Sequence, residues 1–224
     1  VCRILMNRIV YCEFEKSEDP RLFEQLLPCV SVEKRKQIMR MRPGIDRRLS
    51  LYAEIIVRRI ASEFLNIDNS DIEIIRGEYG KPYLKGNENF HFNISHTHNA
   101  IAIAIADTPI GIDIERIRPL NASIVKRLYS IKEKEYVYSV ADVEDRRFSE
   151  IWTRKEAYVK QDGRNISLSS FRIDTFKDAI DRQIKTFCIG EYIISVCGNQ
   201  TVEKIDLTNQ EKFHYNVVDM QTSM

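Results

Sequence analysis

AIAIAIADTPIGIDIER, residues 100–116, is the stretch from which the rest of the chain can be read. Isoleucine and alanine alternate through Ala100–Ala106, so as a strand Ile101, Ile103 and Ile105 share one face and the alanines the other. A face of small residues suits close packing of a helix against it. Asp107–Thr108–Pro109 turns the chain, and the strand pattern resumes over Ile110–Glu115. There Ile112 and Ile114 point to a core, while Asp113 and Glu115 project together from the opposite face, about 6.6 Å apart along the strand. Two carboxylates beside an apolar sheet repel each other and resist desolvation. A divalent cation would relieve both penalties, and all-oxygen ligands select Mg²⁺ or Mn²⁺ over zinc. An ordinary exposed strand face could carry the same pair, so the pair alone does not decide.

Upstream, residues 1–14 read as a strand and residues 20–41 as a helix in two pieces, broken near Pro28 and reopened at Ser31. Pro43–Gly44 is a stop, after which Asp46 caps a long amphipathic helix to about Leu65, with Leu51, Ile55, Ile56 and Ile60 at helical spacing. A short strand is expected at Ile72–Ile75, an irregular surface stretch over residues 77–89, and a strand at HFNIS. Downstream come helical segments within residues 121–140 and an amphipathic helix over Arg147–Lys160. Strands FRIDTF, KTFCIG and YIISVCG follow, then a polar tail. The expectation is an α+β chain of two similar lobes, 1–106 and 107–224, each a small antiparallel sheet packed with helices.

Composition is that of a globular protein: 43% hydrophobic, 30% charged, net charge +1 over 224 residues. No apolar run approaches the roughly 18 residues of a membrane span, and the first residues lack the apolar core of a signal peptide. A cytoplasmic protein without a membrane partner is expected. Five scattered cysteines suggest neither disulfides nor zinc. Between Ser31 and Ile60, nine bases face three acids. Such a segment attracts polyanions or is simply a solvated helix face. Without an aromatic platform or a known motif, nucleic acid is not the expected partner.

Three further motifs carry chemistry. In WTRKEAYVK, Trp152, Glu156 and Lys160 are spaced by four and fall on one helical stripe. The stripe is either a surface Glu–Lys pair with a buried Trp or, opposite the Asp113/Glu115 strand, a third oxygen ligand and a cation aimed at phosphate. FNISHT carries Asn93, Ser95 and His96 into a turn where an anion could bind, or where the histidine is merely structural. No GxSxG elbow is present. In YGKPYL, Gly80 permits a tight turn and Pro82 fixes the backbone after Lys81, a plausible nucleotide contact.

In this order (GKP, FNxSH, GIDIE, WxxKEAxxK) the motifs closely resemble the 4′-phosphopantetheinyl transferases, of the two-lobed type that activates surfactin synthetase. The resemblance runs from about Ser31 to Gly163. It implies a pseudo-twofold pair of lobes with coenzyme A and Mg²⁺, or Mn²⁺, in the cleft between them. It further implies transfer of the phosphopantetheine arm to a serine of an apo acyl or peptidyl carrier protein, releasing 3′,5′-ADP, by a monomeric enzyme. Asp113, Glu115 and Glu156 match the family's metal carboxylates. Lys160 matches the pyrophosphate lysine, Ser95 and His96 the phosphate-contacting pair, and Lys81 and Pro82 the nucleotide contact. Lys34, Arg48 and Ser50 fall in the 3′-phosphate region, where Gln37 and Leu49 depart from the family pattern. Glu156, or water at the metal, would be the base, with Lys160 and His96 stabilising the departing phosphate. The alternative is a non-catalytic coenzyme A-binding or carrier-docking homologue.

Overall fold

The computed structural model describes residues 8–14, 20–163 and 169–198. The expected strand start at residues 1–7 and the polar tail from residue 199 lie outside the described residues, as does Cys2.

The alternating strand β5 (Ala100–Ala106) is the centre of a three-stranded antiparallel sheet, flanked by β1 (Arg8–Glu13) and β4 (His91–Thr97). Its isoleucine face is buried against the long helix α3 (Ile45–Leu65), which contributes Leu49, Leu51, Ile55, Ile56 and Ile60 to the same cluster. The alanine face meets no helix, contrary to expectation. It packs on the second sheet, against Ile110, Ile112 and Ile114 of β6 (Ile110–Arg116) and Ile194 and Val196 of β8 (Tyr192–Gly198). Alanine's small volume lets two sheets, rather than a sheet and a helix, approach closely. That second sheet has the order β6-β8-β7, with β7 spanning Ile184–Ile189, again antiparallel. The chain is α+β, as its sequence implied.

Around the first sheet lie α1 (Pro20–Leu26) and α2 (Val32–Arg40), the latter N-capped by Ser31, whose Oγ accepts from the Lys34 amide at 3.2 Å. Asp46 is not a cap: Gly44 holds the N-cap position of α3, and Asp46 sits in its first turn, where its charge still favours the positive helix end. The stretch 77–89 is not wholly irregular, since β3 (Pro82–Leu84) pairs with β2 (Ile74–Arg76), which begins two residues later than expected. The basic segment is not all surface either. Arg58 is buried and donates to buried Glu54 at 3.0 Å.

In the second half, α4 (Ala122–Leu128), α5 (Ile131–Tyr138) and α6 (Glu144–Gln161) precede a short α7 (Asp178–Asp181). FRIDTF forms no strand. Its polar backbone is satisfied by side chains instead of a ladder: Thr175 donates its amide and hydroxyl to Glu133 at 2.9 and 2.7 Å, and the Ile173 carbonyl accepts from Lys155. Phe171, in the 3₁₀ turn Ser170–Arg172, stacks on Trp152 with centroids 5.3 Å apart. Cys12 and Cys197 are buried free thiols. Among the described residues, no helix is long and apolar enough to cross a membrane.

Helix α6 lies across the carboxylate face of β6, and Gly111 makes that possible. A Cβ there would stand 2.0 Å from the Ala157 carbonyl oxygen and 2.5 Å from the Gln161 nitrogen, both backbone atoms. Gly111→Ala must therefore push helix and strand apart. We expect it to destabilise the fold by about 1–3 kcal/mol in urea unfolding and to displace the side chains described next, whose placement the same contact sets.

Candidate active site

Two periodicities match at the α6–β6 contact. Successive same-face residues of a strand advance about 6.6 Å, and residues four apart on a helix about 6 Å. Gly111, Asp113 and Glu115 thus run beside Gln161, Lys160 and Trp152 in the opposite direction, with Glu156 between the last two. Lys160 Nζ donates to Asp113 Oδ1 at 2.6 Å and stands 3.8 Å from Glu156 Oε2. Trp152 lies close enough to Glu115 to lower its pKa slightly.

The first sheet reaches the same cluster through β4, which runs beside β6. Asn93 Oδ1 accepts from the Ile112 amide at 2.8 Å, and Ser95 Oγ donates to Asp113 Oδ1 at 2.8 Å. Both side chains are buried. Ser95, expected to meet phosphate, here directs its hydroxyl proton to Asp113, with Lys160 Nζ 3.4 Å from its oxygen.

Asp113 is buried, and its second oxygen, Oδ2, has no hydrogen-bond partner among the described residues. Burial raises the pKa of Glu156 to about 7; Lys160 opposes this, and the neighbouring charges of Asp113 and Glu115 add to it. Glu115 is raised for the same reasons, burial first and Asp113 next. Burial pulls Lys160 down, but Asp113 and Glu156 more than offset it, and its pKa ends above the ordinary value. The three carboxylates therefore sense one another. Among the described residues, however, no three His, Cys, Asp or Glu side chains stand close enough to hold a metal as they are.

His96 points outward from β4. Desolvation lowers its pKa, Asp46 raises it, and Lys160 and Lys34 lower it further, so it is neutral at pH 7. Lys34 of α2 and Asp46 of α3 are thus near enough to His96 to influence its charge. Lys34 is nearly covered and ion-paired with Glu54 at 3.6 Å, in the cluster that holds Arg58. Arg48 and Ser50 sit half-buried in the first two turns of α3.

Lys81 occupies an unexpected place. Its Nζ donates to three backbone carbonyls, those of Ile110, Lys160 and Gln161, at 2.9, 2.9 and 2.5 Å. An ammonium has three donors, so its direct contact to a nucleotide would compete with all three. Pro82 opens β3 beside it.

Sequence reading missed Arg118. Its guanidinium lies over the rings of Trp152 and Phe148 at 5.0 and 5.4 Å and lowers the pKa of Glu115 and Glu156. It follows the end of β6, where no spacing rule points to it.

Three carboxylates and a lysine gather where the two antiparallel sheets of the chain meet, an arrangement suited to a phosphate and unlike a hydrolase triad. Residues 17–108 match the N-terminal domain of 4′-phosphopantetheinyl transferases, and residues 109–212 match the 4′-phosphopantetheinyl transferase superfamily. The chain belongs to that family. It is 38% identical over 151 residues to the 4′-phosphopantetheinyl transferase psf-1 of Bacillus pumilus, covering 66% of this chain and 65% of the relative. To Sfp of Bacillus subtilis (strain 168) it is 34% identical over 160 residues, covering 69% and 70%. To gsp of Aneurinibacillus migulanus it is 33% identical over 174 residues, covering 75% and 72%. The chain thus spans about two thirds of the length of these relatives.

Proposed function

We propose that this chain moves the 4′-phosphopantetheine arm of coenzyme A onto a serine of an apo carrier protein, releasing 3′,5′-ADP. The observation that carries this reading is the Asp113–Lys160–Glu156 cluster at the meeting of β4, β6 and α6. The WTRKEA motif resembles the secondary-metabolism branch of the family, which favours peptidyl or polyketide carriers as substrates. Both halves of the site come from one chain, which suits a monomer whose cleft lies between the lobes 1–106 and 107–224.

The donor set is chemically that of a hard divalent cation, which would have to draw the three carboxylates closer than they stand. The unpartnered Oδ2 of Asp113, with Glu115 and Glu156, would hold Mg²⁺ or Mn²⁺ by oxygen alone. When bound, the ion offsets charge on the pyrophosphate oxygens. Lys160 donates to the phosphate on the leaving side, and neutral His96 adds a hydrogen bond without adding charge. Glu156, once ionised, can accept the proton of the attacking serine. Lys34, Arg48 and Ser50 would meet the 3′-phosphate, as the family resemblance implies.

The test is mass spectrometry of an apo peptidyl carrier incubated with the protein, coenzyme A and Mg²⁺. The carrier should gain the mass of one phosphopantetheine arm. No gain across a panel of carriers would refute the reading.

Glu156 also gives a pH dependence. Its pKa rises from 4.5 unfolded to about 7 folded, so the folded state holds its proton longer. The associated stability is complete below about 4.5 and is lost as pH rises through about 7. In metal-free buffer, urea midpoints should fall across that window, and Glu156→Gln should flatten the fall.

A further inference from the structure

We propose that Lys81 is a positioning residue, an ammonium from the first lobe that holds the C-terminal end of α6 against β6 and thereby sets Glu156 and Lys160. The inference rests on the transferase reading of that site. The last carbonyls of a helix lack intrahelical partners and carry the negative end of its dipole. Lys81 Nζ takes two of them, Lys160 and Gln161, together with the first carbonyl of β6, Ile110.

The lysine is delivered by a tight turn. Gly80 has φ +81, the Gly77 amide donates to the Lys81 carbonyl at 3.0 Å, and Arg76 donates to the Gly80 carbonyl at 2.7 Å. Its aliphatic stem lies on Gly163, just past the helix end. A Cβ at Gly163 would stand 3.0 Å from Lys81 Cδ and 3.2 Å from Lys81 Cβ. Lys160 is thus held at both ends: its carbonyl by Lys81 and its ammonium by Asp113. With all three donors engaged, Lys81 acts on the reaction through α6 rather than through the nucleotide.

Lys81→Met keeps the stem and removes the donors. Steady-state transfer to an apo carrier should show kcat reduced about 10- to 100-fold, the scale of a misplaced reacting group, with KM for coenzyme A within about threefold of wild type. Amides of residues 158–163 should exchange faster in the coenzyme-free protein. A KM for coenzyme A raised about tenfold, with or without loss of kcat, would assign Lys81 to the ligand and overturn the proposal. So would unchanged kcat or unchanged exchange. Should Lys81→Met not fold, Lys81→Arg carries the test, since it keeps the charge but cannot bring one nitrogen to all three carbonyls. Reduced kcat at constant KM supports the proposal, and any other pattern overturns it. Failure of the wild type to modify any carrier would instead refute the functional reading.

Discussion

Asp113→Asn is expected to reduce phosphopantetheine transfer about 10²–10³-fold, the usual cost of removing one preorganised electrostatic partner. Asp113 is the hub of the cluster. Its Oδ1 accepts from Lys160 and Ser95, and its Oδ2 faces no hydrogen-bond partner among the described residues. The amide keeps the shape and one acceptor but removes the charge that offsets the burial of Lys160, so the lysine is poorly placed for phosphate. Asp113→Ala goes further. It leaves half-buried Lys160 with only Glu156, 3.8 Å away, as a charge partner, a larger loss of stability that makes the amide the cleaner variant. Single-turnover transfer and urea unfolding on both proteins separate the two effects. A rate within about tenfold of wild type for a folded Asp113→Asn would remove Asp113 from the reaction.

The largest expected loss of stability lies away from the chemistry, at Glu133. Its carboxylate and Lys155 form an ion pair at 2.8 Å with both side chains fully buried. Glu133 also accepts from the Ser130 amide at 2.7 Å, closing the N-terminal capping box of α5, and from the amide and hydroxyl of Thr175. Four donors therefore lose their acceptor in Glu133→Ala, and Lys155 becomes an uncompensated charge in the core. We expect about 3–5 kcal/mol of destabilisation by chemical denaturation. Adding Lys155→Met should recover part of it, because an apolar pair no longer holds a buried charge. A loss under about 1 kcal/mol would mean the pair is not buried as described.

The sequence is legible where a repeat distance decides the face. Strand alternation put Asp113 and Glu115 together, and helical spacing put Trp152, Glu156 and Lys160 on one stripe; both faces meet in the fold. Spacing says nothing about what covers a face. The alanines of β5 were therefore matched to a helix, although the second sheet lies there. The motif around Lys81 points to a nucleotide, while the backbone carbonyls it meets leave no trace in residue identity. FRIDTF alternates like a strand, yet Glu133 and Lys155, some twenty to forty residues upstream, satisfy its backbone. Arg118 reaches the carboxylates by stacking on Trp152, a contact that only the tertiary arrangement creates.

The central claim is that Asp113, Glu115 and Glu156 together bind one hard cation beside the coenzyme A pyrophosphate. Crystals grown with Mn²⁺ and coenzyme A, measured for anomalous scattering at the manganese edge, test it directly. The account predicts a single peak at bonding distance from these three carboxylates, with Lys160 turned from Asp113 toward phosphate. A coenzyme A-bound crystal with no peak there, or with Lys160 still seated on Asp113, would contradict it.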